Sequence, residues 1–124
     1  VEQELNLSSE QKQQLFDLLR DNLREENKFY KYDFFYDNCA TRIRDIVKKP
    51  FDDRLVYSNN AADGSKTMRQ LLDPYLAPYP WTDFGIDLIL GMPADKKATP
   101  EDHMFLPDGM FNAFAQSRTP EGQP

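Results

Sequence analysis

The chain has 124 residues, 40% of them hydrophobic and 13% aromatic, and a formal net charge of −6. That length suits one domain with a modest core, and that apolar content excludes a disordered polymer. The acidic balance argues against nucleic-acid binding, which needs clustered Lys and Arg, and no apolar run approaches the roughly 20 residues that span a bilayer.

Ser8-Ser9-Glu10-Gln11 carries the capping-box spacing, a Ser followed three residues later by Gln, in a helix expected over Leu5 to Asn27. Leu15, Leu18, Leu19 and Leu23 form its apolar stripe, as an amphipathic scaffold helix requires. Lys28 to Tyr36 is dense in aromatics and reads equally as a strand or a helical turn. Tyr30, Tyr32, Phe34, Phe35 and Tyr36 supply core area or line a groove, and core is the commoner use. Asp37 or Asn38 then caps a helix in which Cys39, Ile43, Ile46 and Val47 share one face, and Pro50 ends it.

Ser58 to Lys66, rich in Asn, Asp, Ser and Gly, is a loop. A third helix runs from Thr67 with Met68, Leu71, Leu72, Tyr75 and Leu76 on one stripe. Ala77 to Trp81 is expected to be extended because Pro78 and Pro80 interrupt it. Thr82 or Asp83 caps a short helix to Leu90 closed by Gly91, although Phe84, Ile86, Leu88 and Leu90 also fit a strand alternation. Thr99-Pro100-Glu101-Asp102 is another helix start, and Asp108 opens a last helix with Met110, Phe111 and Phe114. The expected organisation is one small, mostly α, multi-helix domain over residues 1–115 and a frayed polar tail over 116–124.

Cys39 is the single cysteine, which excludes an internal disulfide. It reads two ways. A lone cysteine on an apolar helix face is usually a small buried hydrophobe. A thiol at a helix start instead meets unpaired backbone N–H groups and the positive end of the dipole, which suit a nucleophile. Arg42, one turn on, favours the second reading, and the carboxylate of Asp37 opposes it. His103 is the single histidine, and its polar context, Glu101-Asp102-His103-Met104, reads as surface rather than as a base for Cys39. Asp83-Phe84-Gly85 matches a kinase tripeptide by coincidence, since no Gly-rich loop accompanies it. Asp37 and the Asp52-Asp53 pair have no metal-ligand spacing, so neither a metal nor a cofactor is expected. The basic run Arg42, Arg44, Lys48 and Lys49 reads as a solvated face before a phosphate-binding one.

Tyr32-Asp33-Phe34-Phe35-Tyr36-Asp37-Asn38-Cys39-Ala40-Thr41-Arg42-Ile43-Arg44-Asp45 resembles the signature of the Lnb N-terminal periplasmic domain family. Thr67 to Leu72, Pro80 to Gly91 and Phe105-Leu106-Pro107-Asp108 agree with it, so the resemblance extends from Leu5 to about Phe114. The family is similar to permuted papain-like thiol enzymes of α+β fold, in which a strand-borne His precedes the Cys helix. The resemblance therefore implies that this chain is the Cys-bearing helical half, with Cys39 as nucleophile and Asn38 and Arg42 as supporting residues. It implies a thioester on Cys39 whose acyl group passes to a lipoprotein amine, with phospholipid or lipoprotein as substrate.

It also implies a periplasmic setting in a Gram-negative bacterium, anchored to the membrane through parts outside this chain. The partner His is expected upstream of Val1, so the isolated chain is expected to be inactive and to need the N-terminal half of its own domain. The rival readings are a non-catalytic helical binding module with Cys39 in the core, and a hydrolase that resolves the same thioester with water.

Overall fold

The computed structural model describes residues 2–52, 54–57 and 64–118. It is mostly helical, and the described residues hold isolated β-bridges but no sheet. The helices are α1 (Ser9–Asn22), α2 (Cys39–Lys48), α3 (Met68–Leu76), α4 (Pro80–Leu90) and α5 (Pro107–Ala115), joined in places by 3-10 turns. The chain divides into two compact units, one of Val1–Ser58 with Met104–Pro124, the other of Asn59–His103. Most of the Ser58 to Lys66 loop, Asp53, and the tail beyond Arg118 lie outside the described residues.

In the first unit α1 begins where its capping box predicts. The Ser8 hydroxyl accepts from Gln11 N–H, and the Gln11 side chain accepts from Ser8 N–H. The helix is shorter than expected at both ends. Leu5 and Leu7 precede the cap and pack against the core instead, and Asn27 closes the far end by donating to the Asp21 carbonyl at 3.1 Å. The apolar stripe of α1 is only partly covered: Leu15 and Leu18 are half-buried, while Leu19 and Leu23 are exposed. The core cluster is Val47, Phe51 and Leu55, with Leu5, Leu7, Ile46, Tyr57 and Phe114 around it. Tyr57 and Phe114 meet edge-to-face at 5.6 Å, and the Tyr57 hydroxyl donates to the Arg44 carbonyl at 3.0 Å. Burying each large apolar side chain contributes roughly 1.5–3 kcal/mol.

In the second unit Thr67 caps α3 with its own capping box through Gln70. Pro74 removes one backbone bond inside α3, and the helix ends two residues later. The stretch after it is not extended throughout. Pro80 and Trp81 already belong to α4, because a proline at the first helical position loses no bond and has the right φ. Gly91 ends α4 at φ 58°, in the region glycine favours, so the helical reading of Phe84 to Leu90 prevails over the strand reading.

Arg69 on α3 ties the unit together. Its guanidinium pairs with Asp95 at 2.8 Å, with Asp87 on α4, and donates to the Gly91 carbonyl at 3.0 Å. The hydrogen bonds to Asp95 and Asp87 raise the Arg69 pKa further, and the Arg69 bond holds the Asp95 carboxyl below its ordinary value. Helices α3 and α4 and the turn after α4 therefore meet at one guanidinium.

Candidate functional site around Cys39

The aromatic segment before Cys39 is neither strand nor helix but a tight loop. Asp33 and Asp37 exchange both backbone hydrogen bonds at 3.1 Å, and the Asp33 carboxylate accepts from Phe35 N–H and Tyr36 N–H at 3.0 and 2.9 Å. This Asx-type turn reverses the chain within five residues. Phe35 is its buried anchor, edge-on to Phe105 at 5.3 Å and to Phe34 at 5.2 Å. Tyr30, Tyr32, Phe34 and Tyr36 stay exposed, so Phe35 alone of the five aromatics is core.

Asn38 joins this loop to α2. It is 5% exposed, and its side chain uses every hydrogen-bonding position it has. The carbonyl oxygen accepts from Ala40 N–H at 2.8 Å and Thr41 N–H at 2.9 Å. The amide nitrogen donates to the Phe34 carbonyl at 2.8 Å and to the Phe105 carbonyl at 3.0 Å. Thr41 completes the box: its hydroxyl accepts from Asn38 N–H at 2.8 Å and donates to the Asn38 carbonyl at 3.1 Å. Because both partners are satisfied, two polar side chains can be buried at the helix start without penalty.

That arrangement sets the rotation of α2. Ala40, Thr41 and Val47 face inward, and Cys39 and Ile43 are exposed. The apolar face read from the sequence, which put Cys39 at the edge of the core, is therefore turned by about one residue, or 100°. Cys39 is a free, exposed thiol, not a packed small hydrophobe.

The helix start has one uncommitted donor. Ala40 and Thr41 give their N–H groups to Asn38 Oδ1, and Arg42 N–H goes to the Asn38 carbonyl at 3.0 Å. The Cys39 N–H makes no hydrogen bond among the described residues. Next to the thiol, then, a single backbone donor is left to meet a developing negative charge.

Arg42 does not stand free beside the cysteine. Its Nε donates to Asp37 Oδ1 at 2.8 Å, and its guanidinium lies over the Tyr30 ring at 3.6 Å. Asp37, read from sequence as working against a thiolate, is thus the counter-ion of Arg42. The Tyr30 contact has no signature in the sequence beyond the aromatic density. This pair faces an open cleft of about 700 Å³ whose lining also includes Asp21, Tyr36, Asp45 and Lys49. A second, more apolar cavity of about 340 Å³ lies at the other end of α2, against Leu5, Leu7, Val47, Phe51, Leu55 and Phe114.

His103 is buried, not on the surface as its polar context suggested, and sits in the 3-10 turn Asp102–Phe105. Thr99 initiates that turn: Asp102 accepts from its N–H and hydroxyl, both at 2.8 Å. The capping signal was real, but it opens a 3-10 turn rather than an α-helix, and α5 follows from Pro107. No group of three or more metal-ligating side chains exists among the described residues, and no described helix is long and apolar enough to cross a membrane.

A family model described as the Lnb N-terminal periplasmic domain matches residues 1–73, a span that contains the whole Asp33 to Arg42 arrangement. No curated protein and no solved structure matches the chain.

Proposed function

The chain belongs to the Lnb N-terminal periplasmic domain family, and from that premise we propose that it is the cysteine-bearing part of a thiol-dependent acyl-transfer site. The observation that carries the reading is the state of Cys39: an exposed free thiol on the first residue of a helix, beside its own uncommitted N–H. In the proposed reaction the thiolate attacks an ester carbonyl. A C–S bond forms, the C–O bond breaks, and the alcohol leaves with the proton the thiol surrendered. An amine then attacks the thioester, the C–N bond forms, the C–S bond breaks, and the amine proton returns to sulfur. The Cys39 N–H supports each oxyanion, Asn38 holds the helix start, and Arg42 with Asp37 borders the cleft where a polar headgroup or amine would lie.

The family resemblance gives the rest of the proposal. The donor is a phospholipid, the acceptor a lipoprotein amine, and the base a histidine on a strand that precedes the Cys helix. The setting is the periplasm of a Gram-negative bacterium, with the membrane anchor in another part of the protein.

The test is trapping. Incubation of the parent protein with phospholipid should add an acyl mass to the peptide containing Cys39, and an amine should discharge it as an amide. Discharge by water alone would make the protein a hydrolase. Parent protein that keeps its activity as Cys39→Ser would end the proposal.

A further inference from the structure

The guanidinium of Arg42 is held from two sides. Its Nε donates to Asp37 Oδ1 at 2.8 Å, with Nη2 3.5 Å from Oδ2, and its central carbon lies 3.6 Å from the centre of the Tyr30 ring. The carboxylate and the ring together fix where the planar fork points. A guanidinium carries five N–H donors. Asp37 engages two of them, and the rest make no hydrogen bond among the described residues. The side chain is 37% exposed and lines the cleft of about 700 Å³ between α1 and α2.

The charges of that cleft decide the sign of its ligand. Asp21 pairs with Arg24 at 3.1 Å, Asp37 with Arg42 at 2.8 Å and Asp45 with Arg44 at 2.6 Å. Every carboxylate in the lining therefore has its own cation. Lys49 also lines the cleft, and it makes no ion pair among the described residues. A protonated amine would have to displace a cation already in place. An anion meets the uncompensated Lys49 and the open edge of Arg42.

Geometry narrows the class of anion. Arg42 and Lys49 lie seven residues apart, about two turns along one face of the helix. A planar carboxylate spends both oxygens on a guanidinium fork. A tetrahedral phosphate keeps a further oxygen for a second cation, and the cleft has room for what is esterified to it.

We propose that the cleft between α1 and α2 is a phosphate-ester site, in which Arg42, positioned by Asp37 and Tyr30, grips the phosphate and Lys49 adds the second charge. The identification of that ester with the acyl donor rests on the acyl-transfer reading of Cys39, but the binding does not.

The isotopically labelled 124-residue chain is titrated with glycerophosphoglycerol, a diester, and with glycerol phosphate, a monoester. Both should move the Arg42 Nε–H signal, and the tighter one identifies the source as a lipid headgroup or as a soluble metabolite. Neither probe has an acyl ester, so binding is read without any reaction at Cys39, and a failed trapping experiment would not touch it. Arg42→Met should weaken both by about tenfold or more, and Arg42→Lys, which keeps the charge without the fork, should recover only part of the loss. Lys49→Gln, at an exposed position, should weaken both several-fold with circular dichroism unchanged, and Arg54→Gln, outside the cleft, should bind as the parent does. Parent-like binding by Arg42→Met or Lys49→Gln, full recovery by Arg42→Lys, or equal affinity for acetate or ethanolamine would each overturn the proposal.

Discussion

Asn38→Ala is the most informative single perturbation of the Cys39 site. It removes two accepted bonds, from Ala40 N–H and Thr41 N–H, and two donated ones, to the Phe34 and Phe105 carbonyls. Loss of the cap costs about 1 kcal/mol. Each donated bond contributes about 1 kcal/mol, and leaving the carbonyls unpaired at a site that is 5% exposed keeps the loss from being recovered from water. The expected total is about 3 kcal/mol. Asn38→Asp separates the two halves, since a carboxylate still accepts from Ala40 and Thr41 but cannot donate to two carbonyls. It should lose about 2 kcal/mol. Urea unfolding measures both, and hydrogen exchange at the Ala40 and Thr41 amides should accelerate in Asn38→Ala far more than in Asn38→Asp. If Asn38→Ala costs no more than an ordinary exposed cap, or if Asn38→Asp is as stable as the parent, Asn38 does not join the loop, α2 and Phe105 as described.

Three further outcomes follow from the same geometry. Arg69→Met should lower the urea midpoint, because Asp87, Asp95 and the Gly91 carbonyl all lose their common partner. The Asp95 carboxyl is held below its ordinary value by Arg69, so its stabilising contribution is complete above about pH 4 and disappears as pH falls through the lowered value. The parent should therefore lose more stability than Arg69→Met between about pH 7 and about pH 3, and equal losses would remove the coupling. His103→Ala should leave the rate of Cys39 alkylation by iodoacetamide unchanged across pH, even where it reduces stability; a shifted pH profile would make His103 the base.

Local signals determined a good deal of this protein. The Ser8–Gln11 box, the start of α3 at Thr67, a cap at Asp37 or Asn38 and Gly91 at the end of α4 act over a few residues, so spacing reveals them, whereas the last helix begins at Pro107 and not at Asp108 as its sequence suggested. The block around Asp37-Asn38-Cys39 likewise identified the family before any coordinate. What a helix faces is another matter, because it depends on partners distant in sequence. The phase of α2 was decided by Phe105, 67 residues beyond Asn38, whose carbonyl makes it possible to bury a polar helix start and so turns Cys39 outward. Arg69 reaches Asp87 and Asp95 across 18 and 26 residues, and that reach holds one acid of α4, Asp87, against α3. Apolar residues at helical spacing establish that a helix has a face; only the tertiary partners of its polar residues establish which way that face points.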